Sequence, residues 1–290
     1  MNRSPEIPAS ASIDAQLLQV TELISLPEFY LKISQLIDDP ASDVDDFARV
    51  IRLDPNLSAK LLRVVNSAYF GFSGEISSIT RAVSMLGIQQ LYIMALSISA
   101  VTAVSTLDFP EDIIHLKTFW RKSLLTGVMS RQLAQQMKIR PVERFFLLGL
   151  LLEIGHLVLY AYFPDMARSA IQLASETGSS IDQAEQTVIG CHYGDIGAKL
   201  LHHWQLPADM QKLISLQPTP GLSSENRKEL SILHIAHAYA QDHYGMSGHN
   251  SIEMIDPIAW ESSGLPPSEV AKNLQVALLT TKELEKVIVN

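Results

Sequence analysis

One apolar stretch of the chain contains two ionisable side chains, and it constrains the fold more than any other feature. Residues 145–163 read FFLLGLLLEIGHLVLYAYF, with Glu153 and His156 near the centre. A segment this apolar belongs either in a protein core or in a membrane, where about 20 residues span the bilayer. We favour the core, because a buried unpaired charge costs several kcal/mol and both side chains then need partners.

Composition supports a large core and argues against nucleic-acid binding. Of the 290 residues, 47% are hydrophobic and 18% are charged, with a net charge of −9. An acidic chain lacks the basic surface that binds nucleic acid. The single cysteine, Cys191, permits no intrachain disulfide, which fits a reducing cytoplasm. The first residues, MNRSPEIPASAS, lack an apolar signal segment, so we expect a cytoplasmic protein without membrane insertion.

Helix start and stop signals recur along the chain and predict an all-α fold. Ser42 is placed to cap a helix that begins DVDDFARV, and Asp54 followed by Pro55 predicts another helix start. Ser78 is placed to cap ITRAVSML, which Gly87 ends. Longer helices are predicted at 88–105, 118–138, 141–162 and 226–243, and a last one runs to the C-terminus. The loops 217–228 and 244–254 are rich in Pro, Gly and Ser.

Several motifs occur in an order and spacing that point to one family. They are DPNL, VNSAYFG, ITRAVSMLG, FLLGLLLEIGHLVL and VIGCHYGDIGAKLLHHWQLP, within residues 26–207. This stretch resembles the HDOD family of bacterial signalling domains. The resemblance implies an N-terminal helical bundle packed on a helical core like that of HD-domain phosphohydrolases. We therefore expect an N-terminal subdomain at 14–117 and an HD-like subdomain at 118–290, packed as one unit, with residues 1–13 disordered.

The resemblance also implies where a metal site would lie. Active HD-domain enzymes hold a divalent metal with a His, a His-Asp doublet and a later Asp. These positions correspond here to Lys122, Leu152, Glu153 and His237. Leucine has no donor atom and lysine brings a positive charge, so we expect a vestigial site with no metal, no other cofactor and no catalytic residue. His156 and His192, the latter matching a histidine common in the family, are possible additional polar lining.

Glu153 then needs a partner other than a metal. Lys122 is one candidate, and His156 and His237 are the alternatives, since Glu153 and His156 share a helix face at i, i+3. A surviving metal site remains an alternative, because Glu153-x-x-His156 and His234-x-x-His237 both have one-face spacing. A di-iron site would need more carboxylates on facing helices, and the apolar segments do not supply them.

Three functions remain open at this stage. The first is a non-catalytic signalling domain that acts alone or through unidentified signalling proteins, since neither end of the chain has room for a receiver domain. The second is a divergent phosphohydrolase of a nucleotide or cyclic dinucleotide. The third is a sensor that binds a nucleotide in the former catalytic cleft without cleaving it.

Four further residues are interpreted as structural. Asn66 and Ser67, near the end of a predicted helix, favour backbone capping over a ligand or partner contact. Cys191 is expected to be a small core residue, and Trp120 lies at helical spacing among apolar neighbours.

Overall fold

The computed structural model describes residues 13–26, 28–39, 41–244 and 251–289. Within these residues all regular structure is helical, as predicted, and no strand occurs. The sixteen α-helices of this part are α1 Ile13–Leu23, α2 Glu28–Asp38, α3 Val44–Arg52, α4 Pro55–Val65, α5 Ile79–Leu86, α6 Ile88–Val104, α7 Leu116–Gln136, α8 Glu143–Leu151, α9 Ile154–Tyr162, α10 Pro164–Thr177, α11 Ile181–Ile189, α12 Tyr193–His203, α13 Ala208–Leu216, α14 Arg227–Tyr244, α15 Pro257–Ser263 and α16 Pro267–Ile288.

Expectations for two segments fall largely outside this part of the chain. Residues 1–12 of the expected disordered terminus are not described, and Ile13 is the first residue of α1. The predicted loop at 244–254 includes residues 245–250, which are also outside the described residues. The predicted loop at 217–228 contains a short 3₁₀ turn, Pro220–Leu222.

The N-terminal helices begin at side-chain caps. Asp54 caps α4 by accepting the amides of Asn56 and Leu57, and Ser78 caps α5, as predicted. The cap of α3 is Asp43 and not Ser42, so that prediction was wrong by one residue. A carboxylate at position 43 can accept two amides at once, and it forms a capping box with Asp46.

The turn after α4 is held by Asn66. Its side-chain amide donates to the carbonyls of Leu62 and Ile76, at 2.8 and 2.9 Å, and its Oδ1 accepts the Ile76 amide at 2.8 Å. Ser67 donates to the carbonyl of Val64. The structural interpretation of both residues is confirmed, and this turn carries the aromatic residues Phe70 and Phe72.

Helix α7 lies at the centre of the fold and packs against α8, α14 and α16. Helix α16 also packs against α4, and α1 packs against α12, so elements from both ends of the chain meet the middle. Helix α6 is buried along most of its length, and α8 covers part of it. Trp120 and Cys191 are buried, as predicted.

The apolar stretch 145–163 forms parts of two helices instead of the predicted single helix at 141–162. Helix α8 ends at Leu151 and α9 begins at Ile154. Between them the His156 amide donates to the Glu153 carbonyl only three residues earlier, at 2.9 Å. The segment Glu143–Tyr162 is long and apolar enough to cross a membrane. However, 83% of its apolar 18-residue stretch is buried inside the protein, as in a core helix.

Glycines let these helices approach their neighbours closely. A Cβ atom on Gly149 would lie 2.7 Å from the Cα of Gly127 on α7. A Cβ on Gly155 would collide with the carbonyl oxygen of Tyr193 on α12. Because these glycines have no side chains, the break between α8 and α9 packs closely against α7 and α12. This packing places Glu153 beside side chains from several helices.

Candidate functional site

Glu153 lies in the break between α8 and α9, and its carboxylate contacts Lys122 from α7. The Nζ of Lys122 is 2.6 Å from Oε2 of Glu153, and each side chain is only 5% exposed. At this distance and burial the two groups form an ion pair with little solvent screening. Of the candidate partners predicted for Glu153, Lys122 makes the shortest contact.

The two histidine candidates lie on the other carboxylate oxygen. Nε2 of His237, from α14, is 3.2 Å from Oε1 of Glu153, and Nδ1 of His156 is 3.6 Å from the same atom. Lys122, Glu153, His156 and His237 therefore converge at one place, although they belong to three helices and one inter-helix break.

A second buried carboxylate, Glu185 on α11, joins the group, and the sequence did not single it out. Its Oε1 is 2.9 Å from Nε2 of His156, although neither atom meets hydrogen-bond geometry, so the contact is electrostatic. Its Oε2 accepts the backbone amide of Tyr193 at 2.7 Å. We call Lys122, Glu153, His156, Glu185 and His237 together the Glu153 cluster.

The imidazole of His156 packs against two aromatic rings. Tyr160 stacks on it at 5.2 Å between ring centroids, and Tyr193 lies against it at 4.2 Å, with its ring plane tilted by 30°. Aromatic rings attract a positively charged group at their faces, so these contacts favour the protonated imidazole.

The charge states follow from these contacts. Burial alone would raise the pKa of Glu153, but Lys122 and then His237 outweigh it and hold that pKa well below its usual range. Burial lowers the pKa of His156, but Glu185 and Glu153 raise it to a net value of about 9. At neutral pH His156 is therefore protonated, and it lies with the amino group of Lys122 against the carboxyl groups of Glu153 and Glu185.

The remaining predicted positions make other contacts. Leu152 is buried and lies just before Glu153. His192 caps α12, where its Nδ1 accepts the amide of Gly194 and its Nε2 is 3.5 Å from Asp195. His234 lies between the Gln217 carbonyl at 3.1 Å and the Asp256 amide at 3.3 Å. Its one-face spacing with His237 therefore does not bring both rings to one ion.

The side chains of the Glu153 cluster do not fit a bound divalent metal. Lys122 puts an ammonium 2.6 Å from Glu153, where an ion bound to this carboxylate would meet a positive charge. Leu152 supplies no donor. Within the described residues no group of three or more His, Cys, Asp and Glu side chains has the arrangement of a metal site.

Another buried carboxylate lies at the opposite end of α8. Glu143 accepts the Tyr69 hydroxyl at 2.8 Å and the Nε of Arg131 at 2.8 Å. The Arg131 guanidinium lies 4.5 Å from the centre of the Tyr69 ring. We call Tyr69, Arg131 and Glu143 the Glu143 cluster. It joins the turn after α4 to α7 and α8.

A long part of the chain, which includes both clusters except His237, matches one protein family. The model of the HDOD domain matches residues 23–220. The chain belongs to the HDOD family. The recognition made from the VNSAYFG and ITRAVSMLG motifs is confirmed. Helices α14 to α16, and with them His237, lie beyond the matched residues.

Solved structures share the fold over nearly the whole chain. A Shewanella amazonensis protein named "Putative phosphohydrolase" is 26% identical, with a TM-score of 0.73 over 93% of this chain and 98% of that one. An HDOD domain protein of unknown function from Geobacter sulfurreducens is 19% identical, with a TM-score of 0.76 over 96% and 100%. A Marinobacter aquaeolei protein named "Putative signal transduction protein" is 19% identical, with a TM-score of 0.71 over 99% and 63%.

One curated relative also matches. It is an uncharacterised protein of Treponema pallidum, 25% identical over 190 residues, which are 65% of this chain. The match covers 36% of that relative, so the chain corresponds to about a third of its length.

Proposed function

We propose that this HDOD domain is a regulatory domain that works by binding and not by catalysis, in the cytoplasm of a bacterium. The observation that carries the proposal is the 2.6 Å ion pair between Lys122 and Glu153. An ammonium stands beside the carboxylate that would hold a metal in an HD-domain enzyme. The site then needs no ion to neutralise Glu153, and the proposal expects no metal there to activate water.

In this proposal the Glu153 cluster has a structural task. Its members come from α7, the α8–α9 break, α9, α11 and α14, so their mutual attraction fixes the relative positions of these helices. The domain would then present a well-ordered helical surface to signalling proteins. These partners are identified here only by class.

The proposal is tested by metal binding, with a variant of this chain as the positive control. The quadruple variant Lys122→His, Leu152→His, Glu153→Asp and His237→Asp supplies the donor types of the HD-domain pattern. We expect millimolar Mn²⁺ to raise the melting temperature of the variant and to leave the parent unchanged, since only binding to the folded state stabilises it. A folded variant that ignores Mn²⁺ would show that these positions are not a former metal site.

A divergent phosphohydrolase is the second candidate. It is favoured by the name of the Shewanella protein at 26% identity and by the convergence of Glu153, Glu185 and two histidines. Its test is hydrolysis of a chromogenic phosphodiester by the purified parent with added Mn²⁺ or Mg²⁺. Metal-dependent turnover that disappears in Glu153→Gln would establish this function and overturn the regulatory proposal.

A further inference from the structure

A second region of the domain has the features of a ligand site. A cleft of about 1050 Å³ lies beside the Glu143 cluster. Its walls come from the turn after α4, from α5 and the start of α6, and from the segment that joins α7 to α8. The chain bends by 120° at Gly87 between α5 and α6, and residues on both sides of this bend line the cleft.

One wall of the cleft is aromatic. Phe70 and Phe72 line it, with ring planes 11° apart and centroids 6.2 Å apart. Both rings are only partly buried, and Met85 beside them in the cleft is 48% exposed. Partly exposed, nearly parallel rings form a platform on which a flat aromatic ligand can stack.

Cationic side chains also line the cleft. Arg131, Lys138 and Arg140 line it, and Glu143 is the carboxylate among the lining residues. Arg131 is held by Glu143, whereas neither Lys138 nor Arg140 forms an ion pair within the described part of the chain. Two cations that have no ion-pair partner among the described residues lie at one cleft, in a chain with a net charge of −9, and make this a local positive site on an acidic protein.

The start of α6 adds hydrogen-bond donors to the same cleft. Gly87, Ile88, Gln89 and Gln90 all line it, and no side chain caps this helix. The first amides of a helix lack partners within the helix, and the helix dipole favours an anion near them. Gln89 and Gln90 carry amide side chains that can donate and accept as well.

We propose that this cleft binds a nucleotide, with its phosphates against Lys138, Arg140 and the start of α6 and its base against the Phe70–Phe72 platform. Cations and free amides alone would suit any anion, and aromatic rings alone would suit any apolar ligand. A nucleotide joins both chemistries in one molecule of the size of the cleft. The site is separate from the Glu153 cluster and goes beyond the regulatory role proposed above.

The test is direct binding of a ribose-labelled fluorescent nucleoside triphosphate to the full chain, without metal, followed by fluorescence anisotropy. Unlabelled nucleoside triphosphates, a cyclic dinucleotide, inorganic phosphate and an oligoglutamate peptide serve as competitors. We expect nucleotides to displace the probe, and phosphate or peptide at the same concentration to displace little of it. The double variant Lys138→Glu/Arg140→Glu should bind the probe at least about tenfold more weakly.

The matched control is Lys272→Glu/Lys282→Glu, which reverses two exposed lysines of α16 outside the cleft and changes the net charge equally. It should bind like the parent, and Phe72→Ala should bind more weakly while keeping the salt dependence of the parent. Equal binding by the parent and the Lys138/Arg140 variant would overturn the proposal. So would the absence of probe binding at millimolar protein, or displacement by phosphate or peptide as strong as by nucleotides. Binding should persist in Lys122→Met/Glu153→Leu, which separates this proposal from the regulatory one.

Discussion

Helix α8 begins at one buried carboxylate and ends just before another, and each pairs with a cation from α7. At Glu143 the partners are the guanidinium of Arg131 and the hydroxyl of Tyr69. At Glu153 they are the ammonium of Lys122 and two imidazoles. The Arg131 side chain is 21% exposed and lies in the cleft wall, whereas the Lys122 side chain is 5% exposed.

This difference shows how the surroundings of an ion pair determine its contribution to the free energy of unfolding. Glu143 keeps a neutral hydrogen-bond donor, and solvent reaches its cation, so loss of one partner is partly compensated. Glu153 depends on side chains that are only 5–12% exposed, and one of them, His156, also contacts Glu185. Removing one member of a buried charge network leaves another member uncompensated.

The largest expected effect is therefore at Lys122. We expect Lys122→Met to lower the free energy of unfolding by ~3–5 kcal/mol, because it leaves the Glu153 carboxylate buried without its nearest cation. Urea denaturation followed by circular dichroism measures this. Lys117→Met, at an exposed lysine of the same helix, is the control and should change stability by less than about 0.5 kcal/mol.

The next effect is a pH dependence from His156. Its pKa is raised from 6.5 in the unfolded chain to about 9 in the folded protein. A raised pKa gives stability that is fully present below pH 6.5 and is lost as the pH rises to 9. The upper limit of this contribution to the free energy of unfolding is on the order of 3 kcal/mol. The pKa of Glu153 is lowered in the folded protein. The stability that this lowered pKa contributes is therefore lost only when the pH falls below the usual pKa of a glutamate.

The measurement is urea denaturation at a series of pH values between 6 and 9. The parent should lose stability across this window, and His156→Gln should flatten the loss. His202→Gln, at an exposed histidine, should leave the profile unchanged. A parent whose stability is constant over the window would mean that folding does not raise the pKa of His156.

The smallest effect is expected at Arg131. We predict that Arg131→Met costs roughly 2 kcal/mol, less than Lys122→Met, because Tyr69 still donates to Glu143 and water can reach the vacated side of the carboxylate. The same denaturation assay compares the two variants. If Arg131→Met cost as much as Lys122→Met, the degree of solvent access would not explain the difference between the clusters.

Local signals predicted much of the fold. Asp54-Pro55, Ser78 and Gly87 mark helix ends in sequence and do so in the structure, because caps depend on residues within one turn. The all-α fold followed from the same signals and from the family resemblance. The resemblance also led to Lys122 and His237, which no local pattern connects to Glu153.

The features that were missed depend on distant packing. Leu152 and Glu153 are not helix-breaking residues such as proline or glycine, so the residues at the break between α8 and α9 do not predict it. Glu185 lies in an amphipathic stretch, IDQAEQTVI, where a glutamate is usually solvated. It is buried, and it contacts His156 of α9 and the backbone amide of Tyr193 at the start of α12, both of which lie outside α11. The Glu143 cluster likewise joins residues 74 positions apart.

The central claim is that Lys122, and not a metal, neutralises Glu153, and a double-mutant cycle tests it most directly. The free energy of unfolding is measured for the parent, Lys122→Met, Glu153→Leu and the double variant, in buffer with chelator. We predict that the double variant is more stable than the sum of the single changes implies, with a coupling of about 2 kcal/mol or more. Additivity within about 0.5 kcal/mol would contradict the claim, because two side chains that add independently do not neutralise each other.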